Sequence, residues 1–423
     1  MNIKYPVCCG IDVHKKFLVA TIVFAKNAPE LTYEKKRFST FNKSLLELKN
    51  WLIKNECYDV CMESTGKYWI PVYNILEKDL RVVIVNPKWV RSIKGNKDDV
   101  KDSKWIGELF CFGIARASFI PPKPIRILRE FTRYRSKLVA NRSSEKNRFQ
   151  NGFTVGNIAL DSVVSDMFGV SASKITNYLL TDSSPDPKKC ADFLHKSMQH
   201  KADNVVESIE GFMLTEAQKW RMLKVREHLQ YLDKAIKDID EKLNELVKPY
   251  ESTINFLCTI PGVKRDSAIT IISEIGTDMS QFSSSDKLCA WAGLTPGNNQ
   301  TGGKKKSVKI TRAGVYLKPC LVQVAHAAVK CKEISYYRIK YERISKRRGK
   351  KRAIIAIARM ILTAIYNMFK TGEMWNPVDL GKIDMPAELK EKQIKEDIGK
   401  AIKLLQKQNI LPENFSPDIS NSA

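Results

Sequence analysis

Histidine is scarce in this sequence, with five residues in 423, and they are scattered. The ten cysteines form no C-x-x-C: Cys57 and Cys61 are separated by three residues. A zinc cluster and a disulfide scaffold therefore have little support, and the cysteines read as reduced, mostly buried thiols. Long uncharged apolar runs are also missing, and the start "MNIKYPVCCGIDVH" has neither the basic region nor the apolar stretch of a secretory signal. These absences leave no membrane span or leader among the expectations, and a cytoplasmic location follows.

Acidic side chains are in deficit too. Seventy-one Lys and Arg face 46 Asp and Glu, a formal charge of +25 with pI near 9.5. Such an excess is the footprint of a polyanion partner, because every phosphate neutralised releases condensed counterions. Nucleic acid is the leading partner. With 43% hydrophobic residues the chain can bury sizeable cores, and its length suggests two or three domains.

The first hundred residues alternate by element. "VCCGIDVH", "KFLVATIVFA" and "LTYEKKRFS" read as three strands, followed by a helix over "NKSLLELKNWLIKNE". A strand over "YDVCMES", a helix over "GKYWIPVYNILEKDL", a strand over "RVVIVNP" and a helix near "DSKWIGELFCFG" complete the order βββαβαβα. An antiparallel meander feeding parallel strands predicts a mixed sheet covered by helices, an α/β fold ahead of an α-rich remainder.

Against the acidic deficit, "KGNKDDVKDSKW" (residues 94–105) gathers three aspartates among its own lysines. A solvated helix face would account for it. The isolated acids elsewhere point further. Asp12 lies in the first strand among Gly10, Ile11 and Val13, where a charge is costly unless it meets a cation. Glu63 ends the fourth strand, at the edge where mixed sheets bind ligands. Asp99 and Asp102 are three apart and share one side of a helix start, whereas Asp98 falls out of step with Asp102. Four converging carboxylates repel one another, and divalent cations relieve the repulsion. Two such ions held by carboxylates suit displacement at phosphorus, with the nearby lysines along a phosphate backbone.

Farther on, "RILREFTRYRSKLVANRSSEKNRFQN" is a basic helical stretch that carries Arg133 and Arg135, either as a solvated face or as a nucleic-acid contact. Residues 155–205 read as a helical insert. Met222, Val225, Leu229, Leu232, Ile236, Ile239, Leu243 and Leu246 alternate spacings of three and four, a coiled-coil seam. The seam pairs either within the chain or, as preferred here, between copies. "LCTIPGVKRDSAITIISEIG" reads as helix-hairpin-helix, with Pro261, Gly262 and Lys264 in a turn that can grip phosphate; an ordinary helical hairpin carries the same Pro-Gly. "WAGLTPGNNQTGGKKKSVKITRAGVYLKP" reads as a flexible anion-binding loop, with Lys304, Lys305 and Lys306 and hydroxyls at Thr301 and Ser307. "YYRIKYERISKRRGKKRAIIAIARMILTAIYNMF" joins a basic cluster to a buried helix, and the tail after 385 is charged. The expected division is 1–125, 126–250, 251–375 and 376–423.

"GIDVHK", "ESTGKYW", "KDDVKDSKW", "IPGV", "WAGLTPGNNQTGGKKKSVKI" and "RAGVYLKP", in this order, resemble the transposases of the IS110 and IS1111 insertion sequences. The resemblance implies an amino-terminal RuvC-like domain of RNase H fold with a D-E-D-D tetrad. A coiled coil then leads to a transposase domain with a nucleophilic serine. The family motif K-T-D-x-x-D-A falls on Lys97 to Ser103, which makes Asp12, Glu63, Asp99 and Asp102 the tetrad, with Mg2+ as cofactor. It further implies a phosphoserine link to double-stranded DNA, choice of target and donor by a noncoding bridge RNA, and dimers that pair into tetramers. Each composite site then draws on two protomers. The family serine lands on Thr301, a hydroxyl able to attack but crowded by its methyl group; Ser307 is the alternative. Three classes of function remain open: an RNA-guided recombinase, a metal-dependent nuclease or junction resolvase in which water attacks, and a noncatalytic nucleic-acid-binding relic. An actin-like ATPase also starts with "GIDVH", but no second phosphate-binding glycine loop accompanies it here.

Overall fold

Seven residues from Val7 to Val13 contain no proline or side-chain cap, and all but Val7 are buried, so β1 (Val7–Val13) forms a central strand. Its neighbours are β2 (Phe17–Phe24) and β3 (Thr32–Ser39) on one side and β4 (Asp59–Glu63) and β5 (Arg81–Val85) on the other. The sheet order is β3-β2-β1-β4-β5. β1–β2 and β2–β3 pair antiparallel, while β1–β4 and β4–β5 pair parallel, as the sequence alternation predicts. The computed structural model describes residues 3–25, 30–64, 66–86, 99–115, 117–297, 299–301, 304–307, 309–332 and 335–377, with isolated positions of the tail; for 99–101, 299–301 and 304–307 it describes the backbone path alone. The chain forms two units, Met1–Pro121 and Pro122–Ala423.

In the first unit the two faces of the sheet have different covers. Cys9, Ile11, Val13, Val60, Met62 and Ile84 pack with Leu45, Leu48 and Leu52 of α1 (Asn42–Lys54) and with Val72 and Leu76 of α2 (Trp69–Leu76). The alternate residues Cys8, Cys61 and Val85 pack with Ile106, Leu109 and Phe110 of α3 (Asp99–Cys111). This is the period-2 division of a strand buried on both faces.

The second unit begins with a helical hairpin. The basic stretch is α4 (Lys123–Val155), with Pro124 in its first turn, where a missing amide costs nothing. Four helical segments follow: α5 (Leu160–Val163), α6 (Val170–Thr181), α7 (Ala202–Glu207) and the long α8 (Glu216–Leu246). Thr215 and Gln218 cap α8 reciprocally. Contacts between α4 and α8 run in opposite directions along the two helices. Gly152 abuts Met222, Glu145 lies 3.3 Å from His228, Arg142 lies 2.6 Å from Asp233, and Arg135 pairs with Asp240. The seam therefore finds an antiparallel partner inside the same chain: Met222, Val225, Leu229, Leu232 and Leu243 are buried, and Ile236, Ile239 and Leu246 are half-buried. The preferred pairing of this stripe between copies is corrected in that respect, because α4 supplies the cover. The insert adds its own core on the same hairpin, where Leu160, Ile175, Leu179, Val205 and Ile209 meet Phe149, Phe153 and Met222.

Beyond Pro249 come α9 (Glu251–Cys258), α10 (Arg265–Ile275), α11 (Ser285–Trp291), α12 (Leu317–Lys330), α13 (Tyr336–Arg348) and α14 (Lys350–Thr371). The stretch read as a flexible loop is instead a hairpin of β6 (Asn299–Thr301) and β7 (Lys304–Ser307). Its root explains the glycines on either side. A Cβ on Gly293 would meet Ala313 O at 2.5 Å, and one on Gly314 would meet Ala292 O at 2.1 Å. The two Ala-Gly pairs thus cross backbone to backbone, and both glycines have positive φ. Among the described residues α14 alone is long and apolar enough to cross a membrane; half of that stretch is buried, and it packs on α11, α12 and α13.

Candidate functional site

The acids of the first unit are brought together by a crossing. A Cβ on Gly10 would stand 2.2 Å from Ser103 O and 2.3 Å from Gly107 N, so only glycine lets α3 settle on β1. Buried Thr21 and Ser103 hydroxyls bond across it at 2.8 Å, and the Cys8 thiol reaches Gly107 O at 3.5 Å. At the far end of the helix the amides of Lys4 and Tyr5 donate to Cys111 O at 2.8 and 3.1 Å. The helix therefore runs against β1, and its first turn, with Asp99 and Asp102, lies toward the strand's carboxyl end.

Asp12 stands at that end. Ile11 pairs with Met62, so one residue further on Asp12 lies beside Glu63, in strands spaced about 4.8 Å apart. Both fall on the α3 face, since Ile11 and Met62 belong to the opposite core. Asp12 is 8% exposed, and its Oδ2 lies 3.0 Å from Nε2 of His14. The His14 ring leans on Phe17, with centroids 4.6 Å apart. Glu63 and Asp102 are half-buried, and the side chain of Asp99 lies outside the described residues, as does Asp98.

The donor set is hard oxygen on an apolar floor, chemistry that suits Mg2+. Among the described residues, however, no three His, Cys, Asp or Glu side chains come close enough to hold a metal ion. The described positions give Asp12, Glu63 and Asp102 a common end of the sheet without closing a cage. Two further residues here escaped sequence reasoning. His14 had a signal, being two positions beyond Asp12 on the same strand face. Ser103, which stands where the family pattern has alanine, had one in its four-residue spacing from Gly107, two small residues in register on one helix face.

The thiols behave as expected of core residues. All ten cysteines are free, and Cys8, Cys9, Cys57, Cys61, Cys111, Cys190 and Cys289 are buried. Burial pushes the Cys57 and Cys61 thiols up to about 12, which keeps them protonated and weakly nucleophilic.

In the second unit a cavity of about 780 Å3 is lined in part by Arg133, Arg135, Gly262 and Lys264. Both arginines hold carboxylates there. Arg133 forks onto Glu274 at 2.7 and 2.9 Å, and Glu274 is 3% exposed. Arg129 donates to Ser273 O and Glu274 O at 2.9 and 2.6 Å; burial draws its guanidinium down to about 10. Arg135 is bound to Asp240. In the turn between α9 and α10, Pro261 is buried and Lys264 is exposed. The Lys264 amide donates to Ser267 Oγ at 2.9 Å. Gly262 has φ 87°, and a Cβ there would lie 2.5 Å from Ala328 N, so close packing on α12 already demands glycine.

Thr301 is the last paired residue before the hairpin turn and stands opposite Lys304; Gln300 stands opposite Lys305. Lys306 lies within β7, as does Ser307, which pairs with Asn299. The side chains of all these residues lie outside the described ones.

Residues 9–154 match the DEDD transposase family of IS110 elements, and residues 254–342 match the transposase family IS116/IS110/IS902. A probable family 20 transposase of Pseudomonas aeruginosa is 23% identical over 282 residues, 64% of this chain and 71% of that protein. The transposase for insertion sequence element IS1111A of Coxiella burnetii is 28% identical over 146 residues, 34% of this chain; the match spans only 40% of that relative. A mixed five-stranded sheet with acids at one end, joined to a helical unit that carries a second transposase match, defines the class as transposase. The chain belongs to the IS110 family.

Proposed function

We propose that this chain is a DNA recombinase that moves an IS110-type element by strand exchange. Asp12, Glu63, Asp99 and Asp102 are its Mg2+ ligands and Thr301 is its nucleophile. The observation that carries the reading is the Gly10 crossing, which sends the first turn of α3 to the end of β1 where Asp12 and Glu63 stand side by side. The strand order β3-β2-β1-β4-β5, with two antiparallel and two parallel pairings, supports an RNase H-like reading of the sheet.

The chemistry is balanced by exchange. The Thr301 hydroxyl attacks a DNA phosphorus, and a Thr Oγ1–phosphorus bond forms as the phosphodiester bond to the leaving deoxyribose oxygen breaks. The proton lost by threonine ends on that oxygen. A deoxyribose hydroxyl of the new partner strand reverses the step. Mg2+, when bound, supplies charge neutralisation at the phosphoryl oxygens. Asp12 and Glu63 contribute fixed negative charge at one end of the sheet, Asp12 buried and Glu63 half-buried. His14, whose Nε2 lies 3.0 Å from Asp12 Oδ2, orients that carboxylate.

The partners in this reading are double-stranded DNA, a noncoding bridge RNA that selects target and donor, and further copies of the chain as a homodimer or homotetramer, in the cytoplasm. The net charge of +25 supports the polyanion partners. The helix-hairpin-helix reading of α9 and α10, with Lys264 exposed, supports a phosphate contact that does not read sequence.

The test is to trap the covalent step. A nicked suicide duplex carrying element ends, incubated with the protein and its copurified RNA, is expected to give a protein–DNA adduct that survives denaturation. Thr301→Ala abolishes the adduct and Thr301→Ser retains it. Loss in Ser307→Ala instead, with Thr301→Ala active, moves the nucleophile to Ser307. Free DNA ends with no adduct from any variant replace the recombinase with a hydrolytic nuclease.

A further inference from the structure

Where α13 passes into α14, six cations fall within seven residues: Lys346, Arg347, Arg348, Lys350, Lys351 and Arg352, around Gly349. All seven residues are exposed. Gly349 has φ 83°, and a Cβ there would meet nothing within 4 Å, so the elbow projects into open space. Among the described residues, Arg347, Arg348, Lys350, Lys351 and Arg352 make no ion pair or hydrogen bond through their side chains.

Local folding does not explain this cluster. Cations in the last turn of α13 complement its dipole, but the three that open α14 sit at the positive end of a 22-residue helix with no acid in its first turn. Mutual repulsion among six like charges on a convex surface adds to the cost. For Arg347, Arg348, Lys350, Lys351 and Arg352 neither packing nor pairing among the described residues recovers it, and the buried face of α14 starts only at Ala353. An arrangement held against both the dipole and self-repulsion is what a polyanion would offset.

We infer that the α13–α14 elbow is a docking site for the sugar-phosphate backbone of duplex DNA, one that does not read sequence. The choice of a duplex over single-stranded RNA rests on what surrounds the cations. Tyr336 and Tyr337 of α13 are buried and Tyr341 is half-buried, so the elbow offers no exposed aromatic platform on which unpaired bases stack. The site is additional to the acids and the hairpin hydroxyl invoked above; it requires only that the chain handles DNA.

The experiment uses the full chain with three probes: a 30-base-pair duplex of unrelated sequence, a hairpin RNA, and phosphatidylserine vesicles. Anisotropy titrations are run from 50 to 300 mM salt. Replacing Arg347, Arg348, Lys350 and Lys351 together by Gln is expected to weaken duplex binding at least tenfold. The slope of log K against log salt should fall by about 0.9 for each phosphate no longer neutralised, roughly 3 to 4 in all. Lys350→Gln alone should lower it by about 0.9. The melting temperature should hold or rise, since the changes relieve repulsion. The inference is overturned by an unchanged duplex slope. It is equally overturned by a weakening confined to the RNA or the vesicles, or by a fall in melting temperature that shows the cations serve the fold. The suicide-duplex assay separates this from the recombinase reading. Weakened duplex binding with no adduct in the parent chain leaves the elbow standing and removes the recombinase; an adduct with unchanged binding does the reverse.

Discussion

Asp12 and Glu274 are both carboxylates buried in apolar surroundings, one in each unit, and their settings differ. Glu274 is chelated: Arg133 forks onto it, and Arg129 grips the carbonyls of residues 273 and 274. Its charge is neutralised by cations fixed on α4, and it ties α10 to that helix. Asp12 stands at the end of a sheet beside another acid, Glu63, with an imidazole as its nearby ionisable base. Glu274, given arginines, serves to hold two helices together; Asp12, beside a second acid at a sheet end, is the one to which the proposed function assigns chemistry. The contrast can be broken by experiments of decreasing expected effect.

The largest effect falls on activity at Asp12. Asp12→Asn keeps the shape, removes a charge that the strand tolerates poorly, and is expected to reduce strand cleavage about 10³-fold, equivalent to about 4 kcal/mol. Its unfolding free energy should stay within about 1 kcal/mol of the parent or rise. A gel-based cleavage assay paired with urea denaturation checks both. If Asp12→Asn instead destabilised the chain and left cleavage intact, Asp12 would join Glu274 as a structural acid.

Glu274→Gln should do the opposite. It leaves two guanidiniums facing a neutral amide inside the second unit, and loss of one partner from a buried pair costs about 3–5 kcal/mol. Arg133 is 39% exposed, which places the expectation at the lower end, about 3 kcal/mol. Cleavage per folded molecule should be preserved. The matching change at Arg135, whose partner Asp240 is itself 38% exposed, should cost less than about 1 kcal/mol.

Gly10→Ala comes next and joins the two sides of the contrast. The new methyl meets backbone on both sides, at Ser103 and Gly107, so neither neighbour can swing away. Overpacking of this kind costs about 1–3 kcal/mol. Because α3 must also lift from β1, cleavage should fall by more than the loss of folded protein explains. Thermal melting, with hydrogen exchange of residues 8–12 as local probe, measures the first quantity.

Much of the first unit could be read from the sequence because its strands alternate and are punctuated by turns. A one-residue register from Ile11 to Asp12 then placed the carboxylates. What escaped were relations across distance. Arg133 and Arg135 read either as a solvated face or as nucleic-acid contacts; their carboxylate partners lie 141 and 105 residues away, beyond any local pattern. The apolar stripe of α8 announced that it needed a partner without saying that α4 provides it. Glycines around residues 293–314 read as flexibility, whereas Gly293 and Gly314 press two backbones together to root a hairpin. His14 and Ser103 were missed for a simpler reason: a pattern of carboxylates and of Lys and Arg passes over an imidazole and a hydroxyl.

The smallest effect belongs to a third kind of acid, one that is paired but exposed. Glu251 accepts from Arg265 at 2.5 and 2.6 Å, and that hydrogen-bonded fork holds its carboxyl below the usual glutamate value. A carboxyl depressed in the folded chain binds protons less readily there than when unfolded, so its stabilisation is present above the unfolded value near 4.5 and fades as pH falls through the folded one. Between pH 7 and 5 Glu251→Gln should therefore melt slightly below the parent, and the two curves should converge as pH drops beneath 4. Since both partners are 42% exposed, solvent and salt screen the pair, and the gap should narrow further in 0.5 M salt. A gap that widened with acid would mean the fork does not set the carboxyl's affinity for protons, and the line drawn between chelated Glu274 and exposed Glu251 would need a cause other than burial.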